Sequence, residues 1–395
     1  MSIVWILGGI FFWSKYERKP EHITITVEKC PPITILVPCH NEESTIDLTC
    51  GNLKALNYLD YHVIFIDDAS TDHTVQVLRH SIADTAYFHL LRIEQNQGKA
   101  GALNTALSIV QTPFVLILDA DTIIDKDALK WFIHSFTLNT NIAAVTGNPL
   151  PLNRTNFLSK FQTSEFMSII GLIKRCQCYL GSLYTVSGCA TMYKTSALKS
   201  VGGFSRLTAT EDIDITWKLQ RKLFDIWFQP KAVAYIQVPT KFKEYLRQRK
   251  RWATGGWHLL RAHKDVFKNR TLMKLWPVFF EAVLAYVWSF CFVASVIVNL
   301  YFKVYFGYNL IYLFSWTASI VSILCILQIT IAIYMNSTYD KNLKDCFFWI
   351  PWYPILFFSV GAVLVVFTSL KGMFGSLENS GKWRSPKREV TNILG

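Results

Sequence analysis

The sequence is short of acidic residues. Asp and Glu number 28 in 395 residues, against 40 Lys and Arg, and the net charge is +12. Such a surplus raises nucleic-acid binding as a possibility, but no basic stripe lies on a recognisable module, so nucleic acid is excluded as a partner. Basic flanks on the cytoplasmic side of membrane helices explain the charge instead. C-x-x-C pairs are also missing. The nine cysteines (30, 39, 50, 176, 178, 189, 291, 325, 346) include one lone C-x-C, at Cys176 and Cys178, with no second pair and no nearby His. Free thiols in a reducing compartment are the simplest account. No G-x-G-x-x-G and no Walker A pattern occurs. A secretory signal is absent too: the apolar stretch 3–13 is followed, not preceded, by its basic residues, Lys15, Arg18 and Lys19.

Charge is nearly absent from three long runs, 276–302, 309–335 and 346–369. Each exceeds the roughly 20 residues that a helix needs to cross the hydrocarbon core. Glu281 and Gln328 are their polar exceptions. Residues 31–275 read as an ordinary soluble mixture. The expected organisation is a short or truncated N-terminal membrane helix (1–20), a catalytic domain (31–240), an interfacial helix region (241–275), transmembrane helices (276–370) and a basic C-terminal tail (371–395). The first basic flank puts the soluble domain in the cytoplasm, and the chain is expected to be a multi-pass protein of the cell membrane. One N-terminal helix and three later spans would leave the C-terminus outside. Lys371, Lys382, Arg384, Lys387 and Arg388 favour inside. The prolines at 351 and 354 allow 346–369 to be re-entrant.

Within the soluble part, "ITILVP" (33–38), "HVIFID" (62–67), "FVLILD" (114–119) and the weaker "YFHLLRI" (87–93) read as strands. Helical stretches at 44–57, 72–83, 98–110 and 125–138 alternate with them. This spacing predicts an α/β domain with a parallel sheet covered by helices on both faces. Ligands of such sheets sit at the carboxyl ends of the strands. "PCHNEE", "DDASTD" and "DADT" fall at those ends, with carboxylates where a structural turn would carry Gly, Pro or Ser. Two further helices, 157–175 and the basic, aromatic 244–264, are expected to lie in the membrane interface.

Four features carry chemistry. In a strand, residues two apart point the same way, so Asp119 and Asp121 share one target if the strand continues through them. Two carboxylates suit Mg²⁺ or Mn²⁺, and a hard cation neutralises a departing diphosphate. "NQGKAGALN" (96–104) is either a capped helix start or a turn that aims Lys99 at a phosphate. "TATEDIDITWKL" (208–219) puts Glu211 and Asp212 at a helix start. They serve either as dipole-favoured capping residues or, in Asp212, as the base that takes an acceptor hydroxyl's proton. In "QRKRW", Gln248, Arg251 and Trp252 lie at i, i+3 and i+4 on one helix face. Trp offers a flat platform to a sugar ring, and Arg and Gln offer donors.

The order DDAS, DAD, TED and Q-x-x-R-W, on an α/β domain feeding membrane helices, resembles the processive family 2 glycosyltransferases. These include the cellulose, chitin, hyaluronan and poly-N-acetylglucosamine synthases. "AVTGNPLPLN" (144–153), "GLIKRCQ" (171–177), "VSGCATMYK" (186–194), "NSTYDK" (336–341), "WYP" (352–354) and "WRSPKR" (383–388) look like the poly-β-1,6-N-acetyl-D-glucosamine synthases among them. The late-starting N-terminus departs from that pattern. The resemblance implies a GT-A (Rossmann-like) fold, inversion at the anomeric carbon and Mg²⁺ or Mn²⁺ as cofactor. UDP-GlcNAc, a growing biofilm polysaccharide, the lipid bilayer and a small membrane accessory subunit become the implied partners. Carried over by motif, Asp67 and Asp68 contact the uridine and Lys99 lies near the diphosphate. Asp119 and Asp121 form the donor and metal site, and Asp212 is the base. Gln248, Arg251 and Trp252 bind the diphosphate and the acceptor end. The alternatives are another UDP-sugar polymerase, a polyprenyl-phosphate sugar transferase, from which Q-x-x-R-W is not expected, and a non-enzymatic membrane carrier, which leaves the carboxylate loops unexplained.

Overall fold

The computed structural model describes residues 1–18, 30–307 and 311–375. Lys19, Lys382, Arg384, Lys387, Arg388 and the 383–388 stretch lie outside them. In chain order the elements are α1 (Ser2–Tyr16), β1 (Ile33–Cys39), α2 (Ile46–Lys54), β2 (Tyr61–Asp68), α3 (Thr74–Ile82), β3 (Phe88–Ile93), α4 (Gly98–Ile109), β4 (Phe114–Leu118), β5 (Ile123–Ile124), α5 (Ala128–Leu138) and β6 (Ile142–Pro151). Next come α6 (Phe157–Phe166), a π-helical segment (Met167–Ile173), α7 (Lys174–Leu180), β7 (Ala190–Lys194), α8 (Thr195–Ser200), α9 (Glu211–Arg221), β8 (Asp225–Ile236) and α10 (Phe242–Ala262). After short 3₁₀ turns follow α11 (Trp276–Phe306), α12 (Ile311–Asn336) and α13 (Trp352–Phe374).

Two compact units result. One, the α/β unit, takes Ser14–Arg154 and Gly181–Pro239; the other, helical unit takes Met1–Trp13, Thr155–Leu180 and Thr240–Gly375. Residues 155–180 therefore interrupt the stretch expected to be one catalytic domain, 31–240.

The α/β unit is built on one eight-stranded sheet of order β3-β2-β1-β4-β7-β6-β8-β5. Every residue of β1 is buried, as expected of a central strand covered on both faces. The pairs β1–β2, β2–β3 and β1–β4 are parallel, with Cys39 opposite Asp67 and Leu36 opposite Ile117. These strands end level, and their polar loops gather along one edge.

The sheet is mixed rather than all parallel, which corrects the expected architecture. β7 runs antiparallel to both β4 and β6. Its start, Ala190, pairs with Leu118, the last residue of β4. The segment just before β7 is thereby delivered to the carboxyl end of β4, where Asp119 N–H donates to the Cys189 carbonyl at 3.1 Å. An antiparallel neighbour is the only way to bring a strand's beginning to that edge.

In the helical unit, α11, α12 and α13 supply three helices long and apolar enough to cross a membrane. The run expected at 346–369 is displaced. Residues Lys341–Trp349 form a 3₁₀ turn, and the apolar helix extends from Trp352 to Phe374. Proline fits the first turn of a helix, where its missing N–H costs nothing, so the start at Pro351 and Trp352 follows from the sequence. α1 packs on α7, with Phe11 stacked on Tyr179 at 5.9 Å. The expected single helix 157–175 is a longer composite, α6–π–α7, and its buried positions are rich in polar groups: Gln162, Thr163, Ser164, Glu165 and Ser168. The polar exceptions of the spans bond to this composite. Gln328 Nε2 donates to Ser168 Oγ at 2.7 Å, and Glu281 Oε2 accepts from Gln177 Nε2 at 3.3 Å.

Candidate active site

Lys99 organises the carboxylates of the α/β unit. It sits in the first turn of α4, just after Gly98, whose φ of 72° turns the chain into the helix. The Lys99 ammonium donates to Asp119 Oδ1 at 2.6 Å and to the Gly188 carbonyl at 3.1 Å, and lies 3.2 Å from Glu211 Oε1. Its three protons thus have three acceptors, drawn from the loop after β4, the segment before β7 and the start of α9. Burial alone would lower the Lys99 pKa. The charges of Asp119 and Glu211 outweigh it and hold the ammonium well above the ordinary lysine value.

The DxD pair is presented differently from expectation. β4 stops at Leu118, and Thr122 N–H donates to the Asp119 carbonyl at 3.0 Å, closing a turn over 119–122. Carrying two carboxylates along a buried strand would desolvate both, whereas Asp tolerates turns. A turn, not one face of a pleated strand, therefore holds them. Asp121 is 8% exposed. The Asp119 side chain, bonded to Lys99, is about one-third exposed.

Asp212 lies beside this cluster. Together with Lys99, Gly188, Thr191, Tyr193 and Glu211 it lines a small pocket. Asp212 Oδ1 accepts from the Ile213 N–H at 2.9 Å. Thr210, the residue before α9, makes no side-chain cap bond, while Glu211, Asp212 and Asp214 stand in the helix's first turn, where the dipole favours carboxylates. A Cβ added at Gly188 would stand 3.1 Å from Asp212 Oδ2, a tight contact that the carboxylate would have to relieve by shifting. Tyr193 lies buried beneath, its phenol pushed up by burial and then by the charge of Asp212.

At the end of β2, Asp67 and Asp68 are fully buried. Ala69 follows with φ of 57°, a left-handed conformation uncommon outside glycine, which cluster at functional sites. Asp68 Oδ1 accepts from the Gln97 N–H at 2.8 Å, and Asp67 Oδ1 accepts from the Ser70 N–H at 3.3 Å. The second oxygen of each has no hydrogen-bond donor among the described residues. Arg92 Nε approaches Asp67 Oδ2 only to 3.7 Å. Burial raises the Asp68 carboxyl pKa, against the pull of the Gln97 N–H. Buried acceptors left open in this way are costly unless a ligand completes them.

In the helical unit, Gln248, Arg251 and Trp252 all lie on α10, with Arg251 exposed and Trp252 half-buried. The side-chain oxygen of Gln248 is buried without a hydrogen-bond donor among the described residues. The intervening Arg249, passed over in the sequence, is tied to two other side chains of this unit. It forms a two-armed ion pair with buried Glu165 of α6 and packs its guanidinium on Trp252.

The chain has relatives among known proteins. Residues 31–255 match the family described as Glycosyltransferase like family 2. The chain therefore belongs to the family 2 glycosyltransferases. It is similar to the poly-beta-1,6-N-acetyl-D-glucosamine synthase of Staphylococcus epidermidis, with 32% identity over 400 residues, covering 98% of this chain and 96% of that protein. The Staphylococcus aureus synthase of the same name is 32% identical over 409 residues, covering 99% and 96%. Among solved structures, a mannosyltransferase from Pyrobaculum calidifontis in complex with GDP-Man and Mn²⁺ superposes with a TM-score of 0.67. It shares 17% identity and covers 94% of this chain and 99% of that one. The fold is accordingly GT-A, as expected, with a helical region carrying three candidate membrane helices.

Proposed function

We propose that this protein is a membrane-bound, processive hexosyltransferase that builds a β-1,6-linked poly-N-acetylglucosamine from UDP-GlcNAc, an exopolysaccharide of the biofilm matrix. The observation that carries the reading is similarity along nearly the whole chain, helices included, to synthases of that polymer. The carboxylates gathered about Lys99 give the reading its chemistry.

In this reading Asp67 and Asp68 receive the uridine, whose N–H and hydroxyl groups complete their open buried oxygens. Asp119 and Asp121 hold a divalent cation. The donor set fits: both are hard oxygen ligands, which Mg²⁺ and Mn²⁺ prefer. Among the described residues no three-ligand cluster of His, Cys, Asp or Glu forms a ready cage. When bound, the ion supplies positive charge against the diphosphate. Lys99 adds a fixed cation for the same charge. Asp212 accepts the proton of the acceptor hydroxyl as that oxygen bonds to the anomeric carbon; the bond to the diphosphate breaks, UDP leaves, and the configuration inverts. Gln248 and Arg251 hold the diphosphate, and Trp252 stacks on the acceptor sugar. The α/β unit faces the cytoplasm, where UDP-sugars are made, and a small membrane subunit assists the helices.

The test is label incorporation by purified membranes from several UDP-sugars, followed by linkage analysis of the polymer. A 1,6-linked product from UDP-GlcNAc alone is expected. Polymer from UDP-glucose or UDP-glucuronate, or a single sugar passed to a lipid phosphate, would overturn the assignment.

A further inference from the structure

The Q-x-x-R-W motif leaves Arg249 and Lys250 unassigned. Lys250 points to solvent. Arg249 does not: its side chain is 11% exposed and that of Glu165 is 1% exposed. Arg249 Nη2 donates to Glu165 Oε2 at 2.6 Å, and Nη1 donates to Oε1 of the same carboxylate. Two parallel bonds fix both the position and the plane of the guanidinium. The fixed group lies 4.3 Å from the Trp252 ring centroid and 4.8 Å from that of Tyr245. Residues 245, 249 and 252 stand at i−4, i and i+3 on one face of α10, so the helix itself brings the three together. Tyr245 is in turn stacked with Phe242 at 6.0 Å and meets Phe161 edge-on at 6.2 Å.

A half-buried indole on a helix surface can still sample more than one rotamer, and freezing one on binding costs entropy. A guanidinium held rigidly from behind supplies a flat, charged backing that selects a single ring orientation. We infer that Glu165 and Arg249 are positioning residues. Through their ion pair they hold the Trp252 indole in the orientation that receives the acceptor sugar. The inference rests on the reading of Trp252 as the acceptor platform. Neither residue touches the reacting atoms, and both act through the ring.

The discriminating variant is R249K, which keeps a charge opposite Glu165 and removes the planar group from Trp252. The full-length enzyme in membranes is assayed with UDP-GlcNAc and a β-1,6-linked glucosamine oligosaccharide as acceptor. R249K is expected to raise the acceptor KM roughly threefold to thirtyfold, the range of a lost cation–π contact, and to move the donor KM far less. E165Q, which frees the guanidinium, is expected to raise it in the same direction, and the double variant to be no worse than the worse single. Where R249K does not accumulate, the neutral pair E165Q/R249M strands no buried charge and is expected to show the same split. W252A is the internal standard. If W252A raises the acceptor KM and the Arg249 variants do not, or if they raise both KM values in parallel, the positioning role is wrong. If W252A itself leaves the acceptor KM unchanged, the platform reading of Trp252 fails instead.

Discussion

Lys99 and Asp119, twenty residues apart, meet at 2.6 Å where the amino end of α4 faces the loop after β4. Removing the lysine should therefore be felt in stability. Lys99→Met leaves Asp119 and Glu211 without their counter-charge. A loss of about 1–3 kcal/mol is expected, below the roughly 3–5 kcal/mol of a fully buried pair, because Asp119 is partly exposed. The sign with pH follows from the raised lysine pKa. A lysine whose folded pKa lies above the unfolded value of roughly 10.4 stabilises fully below that value and loses its contribution as pH climbs through the folded pKa. Denaturant unfolding of wild type and variant between pH 7 and pH 11 checks this. The gap should stay constant to about pH 10. A gap that closed by pH 9 would contradict the assignment.

Asp121→Asn should abolish polymer formation while the protein still folds and inserts, because an amide replaces a hard anionic ligand. Manganese binding followed by electron paramagnetic resonance, in the presence of UDP, should weaken in parallel. Robust polymer, or undiminished Mn²⁺ binding, would remove Asp121 from the metal site.

Asp212→Asn should keep UDP-sugar binding and lose transfer by about 10²–10⁴, the usual contribution of a positioned base. Calorimetric binding of UDP-GlcNAc beside turnover in the same preparation separates the two. If donor binding fell and nothing else changed, Asp212 would be a nucleotide ligand.

Legibility in the sequence followed the range of each interaction. β1 to β4 and α2 to α5 were readable because apolar runs and alternating helices are local signals. β7 was not, since its direction depends on pairing with β4 and β6, residues tens of positions away. The motif carboxylates could be named, but the geometry that joins them could not. The shared direction of Asp119 and Asp121 depends on the strand continuing through them, and a turn intervenes; the three acceptors of Lys99 come from segments that only the sheet brings together. Arg249 was hidden for a similar reason. Beside Arg247, Lys250 and Arg251 it looks like one more basic residue, and only its partner Glu165, 84 positions earlier, sets it apart.

Trp252→Ala is expected to shorten the polymer far more than it slows UDP release. Hydrolysis of the donor needs only water as acceptor, whereas elongation needs the sugar chain held in place between additions. Trp252 is half-buried on α10, so part of its ring remains available to a ligand while the Arg249 guanidinium occupies its neighbourhood at 4.3 Å. By analogy with base stacking, a lost aromatic platform costs on the order of 1–3 kcal/mol, which is roughly a fivefold to 150-fold loss. The measurement is UDP release against product length in the same membranes, with Trp252→Phe as the conservative partner. Phenylalanine keeps a flat apolar face and should recover a good part of the length. Equal loss of UDP release and length in Trp252→Ala would put the ring in the donor pocket or the fold. Long polymer from that variant would end the acceptor assignment.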